Sequence, residues 1–159
     1  MKKSCILLLV LLLLLSSCNR ASAIEQTLST TVSRIQNAIA DNKNFVLADA
    51  DFTADNIGSP AYLKESAVCF GAEGKPREFG VFRLSDRTKA IEFKESLRTY
   101  LENEREALSS LAHLYPTEEL TERLSLYENA TVGSEGMLVY YFVLDEKETK
   151  IALEALTGR

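Results

Sequence analysis

Histidine, cysteine, basic clusters and long apolar runs are all scarce in this 159-residue chain, and each shortage closes off a class of function. His113 is the single histidine, so a His-based metal cage cannot be assembled, and no cysteine lies near it at zinc-ligand spacing. Asp and Glu number 23 against 18 Lys and Arg, with no Lys/Arg cluster. A nucleic-acid binder needs a basic surface to neutralise phosphates, and this chain lacks one. The longest apolar run, Ile6 to Leu15, has ten residues, against the roughly 20 that cross a bilayer as a helix. No glycine loop opens a helix to cradle phosphate, since Gly71-x-x-Gly74 reads as a hairpin turn.

What the N-terminus does hold is an address. Lys2 and Lys3 precede the apolar run, and Leu15-Ser16-Ser17-Cys18 follows the lipobox pattern of Leu, two small residues and Cys. The thiol of Cys18 is the group that takes a diacylglycerol, after which the peptide is cut on its N-terminal side. Ala21-Ser22-Ala23 offers an ordinary cleavage site that would release a soluble protein, but it lies eight residues beyond Leu15. The expected division is 1–17 signal peptide, 18–29 lipidated cysteine and polar tether, and 30–159 a single domain. Loss of Lys2 and Lys3 leaves 16 Lys and Arg against 23 Asp and Glu, a net charge of −7 in the mature chain. Such a body is repelled by anionic headgroups, so the lipid must hold it at the membrane. With Cys5 removed and Cys18 acylated, Cys69 remains alone in the apolar run Ala67-Val68-Cys69-Phe70 and reads as a small buried hydrophobe.

Along the mature chain, Leu28, Val32, Ile35 and Ile39 recur at helical spacing, with an end expected near Asp41-Asn42. Phe45 to Tyr62 reads as irregular. Ala67–Phe70 and Phe79–Leu84 read as two strands around a glycine turn. Ser85 then caps a long helix whose buried stripe is Ala90, Phe93, Leu97, Tyr100, Leu101, Ala107, Leu108 and Leu111. A short helix runs from Pro116-Thr117 through Leu124. The pattern then returns: Glu128–Val132 and Met137–Leu144 flank Gly133-Ser134-Glu135-Gly136, and Asp145 with Glu148 forms a capping box for a last helix. A shift of 60 residues lays Phe82-Arg83-Leu84-Ser85-Asp86 on Phe142-Val143-Leu144-Asp145-Glu146. Duplication and the general likeness of amphipathic segments both account for this. The expected fold is α+β: a four-stranded antiparallel sheet from two strand–strand–helix units, helices mainly on one face, plus an N-terminal helix.

The lipobox, the tether, Glu78-Phe79-Gly80-Val81-Phe82-Arg83-Leu84-Ser85-Asp86, the long charged helix, Tyr127-Glu128-Asn129-Ala130-Thr131-Val132 and Gly136-Met137-Leu138-Val139-Tyr140-Tyr141-Phe142 together carry a resemblance. The chain resembles the small bacterial lipoproteins grouped as domain of unknown function 4358, over most of residues 35–156. The resemblance implies an exported, anchored, single-domain protein and brings no catalytic residues.

Chemistry-bearing motifs are thin. Asp49-x-Asp51-x-Thr53-x-Asp55 starts like a calcium loop, but Ala54 and Pro60 stand where such a loop needs Gly and Glu. Cys69 and His113 would need the fold to bring them together as nucleophile and base. Asn129-Ala130-Thr131 matches a glycosylation acceptor that a bacterial lipoprotein has no use for. The expectation is therefore a non-enzymatic binding or accessory module on the extracytoplasmic face of the cell membrane, with no metal, cofactor or catalytic residue and no nucleic-acid partner. A small envelope enzyme with an unfamiliar site, and a subunit of an envelope complex, are the rivals. Strand alternation is expected to place Phe82, Leu84, Phe142 and Leu144 against Phe93, Leu97 and Leu101. Phe79, Val81, Arg83, Val139, Tyr141 and Val143 would then form the opposite face, covered by the first helix or by an envelope protein partner or second copy.

Overall fold

The computed structural model describes residues 27–39 and 45–158. Cys18, the lipobox, the tether before Thr27 and the expected helix end at Asp41-Asn42 lie outside the described residues. Helix α1 (Leu28–Ile39) buries Leu28, Val32 and Ile35 of the stripe its spacing predicts, together with Thr31, while Ile39 is half-buried. Strand β1 (Phe45–Leu47) and the short helix α2 (Phe52–Asn56) occupy the stretch expected to be irregular. Then come β2 (Leu63–Gly71), β3 (Glu78–Leu84), the long helix α3 (Ala90–Leu114), α4 (Glu118–Glu128), β4 (Thr131–Glu135), β5 (Leu138–Val143) and α5 (Glu146–Thr157).

The fold is α+β, with one antiparallel sheet in the order β1-β2-β3-β5-β4. It has five strands rather than four. The extra one, β1, pairs Phe45 with Gly71 and Leu47 with Cys69. Three residues are too few to display an alternation, and only Phe45 is buried. Strand β4 starts later than expected because α4 continues to Glu128, and the turn tightens onto Gly136 at φ 60°.

Helices cover both faces of the sheet. On one side Phe82, Leu84, Val139, Tyr141 and Val143 pack with Phe93, Leu97, Tyr100 and Leu101 of α3 and Tyr127 of α4. On the other, Phe79, Val81, Phe142 and Leu144 pack with Leu28, Val32 and Ile35 of α1 and Ala152 and Leu156 of α5. Phe82 meets Phe93 edge-on at 5.1 Å in the first core, and Phe45 meets Phe79 at 5.2 Å in the second. Each fully buried ring or Leu contributes about 1.5–3 kcal/mol relative to exposure.

The expected grouping of Phe82, Leu84, Phe142 and Leu144 on one face is thus corrected by the register. Phe82 pairs with Val139 and Phe79 with Phe142. Directly paired residues share a face, and successive residues alternate. Phe142 therefore lies on the side of Phe79, away from Phe82. The same register decides the repeat. A two-fold relating adjacent antiparallel strands stands normal to the sheet and keeps equivalent residues on one face. Here Phe82 and Phe142 face opposite ways, and so do α3 and α5. The 60-residue similarity is one of pattern, without a structural two-fold.

Local signals explain most helix ends. Asp86, not Ser85, caps the entry to α3: its carboxylate accepts from the Thr88 amide at 2.8 Å, leading a single 3₁₀ turn (Arg87–Lys89) into the helix. The Ser85 hydroxyl bonds the Tyr62 carbonyl instead. Thr117 caps α4, Asp145 caps α5 through the Glu148 amide at 2.7 Å, and Gly158 closes α5 in the left-handed region. The buried stripe of α3 stops at Leu108. Ala107 is exposed and Leu111 is 42% exposed.

Candidate functional site

Alternation along β3 points residues 78, 80, 82 and 84 at α3, and the first of these is a glutamate. Glu78 is 3% exposed. A carboxyl in such a place is costly unless its oxygens find donors. It finds three phenols from three elements. Tyr100 of α3 donates to Oε1 at 2.8 Å, Tyr141 of β5 donates to the same oxygen, and Tyr127 of α4 donates to Oε2.

Each tyrosine is placed by simple rules. Tyr100 falls on the helical stripe with Phe93 and Leu97. Tyr141 pairs across the strands with Gly80, where a β-carbon would come within 2.3 Å of the Tyr141 ring. Glycine there lets the ring lie flat on the strand, stacked on Phe82 with centroids 6.0 Å apart, with its hydroxyl reaching Glu78. Gly133 and Tyr140 repeat the device on the opposite face, the hypothetical β-carbon meeting the ring at 2.4 Å. Tyr127 ends α4 near the hairpin.

Burial pushes the Glu78 carboxyl above its ordinary range, and the bonds from Tyr127, Tyr141 and Tyr100 oppose that rise. Burial first, then the neighbouring Glu78 charge, pushes all three phenols up. The cluster is a proton-rich knot in which the hydroxyls stay protonated and the carboxyl has no unpaired oxygen.

The knot abuts solvent on two sides of Tyr127. Toward the β2–β3 hairpin lies a cavity of about 190 Å³ lined by Phe70, Lys75, Arg77, Glu78, Arg123 and Tyr127. Arg123 stands beside Tyr127 and opposes the rise of its phenol, and Arg77 pairs with Glu148 and lies 5.3 Å from the Phe45 ring centre. Glu148 thus leaves the second half of the expected capping box to make this ion pair. Toward β4, an open groove of about 670 Å³ runs along α3 past Arg98, Glu102 and Arg105 to Val132.

The residues expected to form a partner-binding face do not form one. Phe79 and Val81 lie under α1 and α5, whereas Val139, Tyr141 and Val143 lie under α3. All five are 0% exposed, again because β3 and β5 pair out of step with the assumed phase. Arg83 alone reaches the surface, where it pairs with Glu65 at 3.4 Å. Helix α1 takes the covering role over Phe79 and Val81.

Cys69 is buried on the α1 side with Gln36 donating to its sulfur, and burial pushes its thiol up to about 12. His113 is exposed in the last turn of α3, on the other side of the sheet, so the two never meet. Asp49, Asp51 and Asp55 are exposed around α2, and no group of three potential metal ligands occurs among the described residues.

Sequence reasoning misses Glu78 because it opens a strand directly behind the turn. The signal was present: the parity that turns Phe82 and Leu84 inward turns Glu78 inward as well. A scan of family models, a search of curated proteins and a search of solved structures each found no match to this chain.

Proposed function

We propose that this is a lipid-anchored protein of the extracytoplasmic membrane face whose single domain acts by binding rather than by catalysis. The observation that carries the reading is the lipobox Leu15-Ser16-Ser17-Cys18 directly behind a ten-residue apolar run. Two or three acyl chains, at about 0.8 kcal/mol per buried methylene, give stable attachment where one is marginal. Among the described residues no helix is long and apolar enough to cross a membrane. The resemblance to the lipoproteins of domain of unknown function 4358 accords with the same reading. Binding is favoured over turnover by the saturation of Glu78, since a carboxyl held by three phenols is fixed in place.

Intact mass of the protein extracted from membranes tests the anchor. The expected species begins at Cys18 and carries diacylglycerol, and Cys18→Ser leaves unprocessed precursor or diverts cleavage to Ala23. An unmodified N-terminus at Ile24 refutes the reading. The second reading, a small envelope enzyme, draws on the raised carboxyl of Glu78 beside a cavity, a setting common in active sites. Turnover of any envelope substrate that vanishes in a folded Glu78→Gln variant would establish it.

A further inference from the structure

Lys75 and Arg123 both line the 190 Å³ cavity beside Tyr127, and neither enters an ion pair among the described residues. Arg77, the third cation of the wall, is already matched by Glu148. In a chain with a net charge of −5, two unmatched cations converging on one small cavity run against the overall balance. We propose that this cavity binds a phosphate group, with Arg123 and Lys75 as its charged ligands. The inference rests on the reading of the domain as a binding module.

The chemistry narrows the ligand. Arginine presents five N–H donors in a rigid fork suited to tetrahedral oxyanions. Arg123 lines the cavity beside the Tyr127 hydroxyl and interacts with it, while the Tyr127 proton goes to Glu78 Oε2. No ion pair among the described residues engages the Arg123 guanidinium, which leaves it donors for a ligand. Two unmatched cations suit a group of charge near −2 better than a monocarboxylate. The volume admits a phosphate with a small substituent. Glu78 lines the same cavity but is nearly fully buried, and both its oxygens accept phenol hydrogens. Lys75 and Arg77 also border the adjoining cavity beyond Pro76, whose acidic lining is Glu122, Asp145 and Glu148, whereas Arg123 faces the inner cavity alone.

Titration calorimetry of the full chain in a neutral detergent at low ionic strength tests this, with inorganic phosphate as the probe. Saturable binding at one site is expected, weakened about tenfold or more by Arg123→Gln and by Lys75→Gln, because each removes a charged hydrogen bond. Arg98→Gln, in the groove across Tyr127, should leave it unchanged. Lys75 is exposed, so its variant keeps the fold, and unchanged circular dichroism checks Arg123→Gln. A second arm replaces free phosphate with micelles doped with phosphatidic acid. A response confined to those micelles and lost in the same variants assigns the phosphate to a lipid headgroup. Absence of binding in both arms, or equal binding by the variants and the unaltered chain, overturns the proposal. The anchoring reading stands or falls separately, on the mass of the mature N-terminus.

Discussion

Removing the three phenols one at a time should reveal which oxygen of Glu78 each serves. Tyr100→Phe and Tyr141→Phe each take one donor from Oε1 and leave the other in place. Tyr127→Phe takes the only phenol from Oε2. Loss of a shared donor should cost about 1 kcal/mol, the net worth of an ordinary hydrogen bond. Stripping a buried carboxyl oxygen of its donor adds the desolvation penalty, so Tyr127→Phe should cost about 2–3 kcal/mol. All three changes keep the ring, so cavity terms do not enter. With urea slopes of about 1–3 kcal/mol per molar, the midpoint for Tyr127→Phe should fall by roughly 1 M and those of the other two by about half as much. The gap should widen as pH rises and Glu78 ionises, because hydrogen bonds to a charged acceptor are stronger. Equal midpoints for the three variants, or a neutral Tyr127→Phe, would refute the assignment of donors to oxygens.

Other consequences can be measured on the same curves. The folded Glu78 pKa is raised, so its favourable contribution is complete below the usual 4.5 and is lost as pH rises through the folded value; Glu78→Gln should flatten stability across that window, and an unchanged slope would exclude Glu78 as the titrating group. Gly80→Ala forces a β-carbon to within 2.3 Å of the packed Tyr141 ring and should cost about 1–3 kcal/mol in urea unfolding. Ile35 of α1 is 0% exposed between the helix and the sheet, so Ile35→Ala should cost about 2–5 kcal/mol; an unchanged midpoint would mean that α1 does not cover this face.

How far the sequence reaches is set by the range of each signal. Helical stripes are local, so Val32 and Ile35 in α1, and Phe93, Leu97 and Leu101 in α3, were legible. Caps are local too, and Asp145 is legible as one. The phase between β3 and β5 is not local: nothing within either strand says whether Phe82 will oppose Val139 or Leu138. A one-residue change of pairing moves every side chain of β5 to the other face. That single undetermined integer misplaced Val139, Tyr141, Val143, Phe142 and Leu144 together. Glu78 was knowable from parity, but its three phenols come from residues 22, 49 and 63 positions away, which no window of sequence connects.

Cys69 carries a last implication. It is the single free thiol among the described residues, it sits in the core that α1 closes, and Gln36 of that helix touches its sulfur. A thiol reagent can reach it only while the helix is lifted from the sheet, so the pace of alkylation becomes a stopwatch for that motion. Compared with the rate for an unfolded peptide, it yields the free energy of opening one helix without denaturing the rest. The protein carries its own reporter of breathing, placed where no dye could be attached without disturbing what it measures.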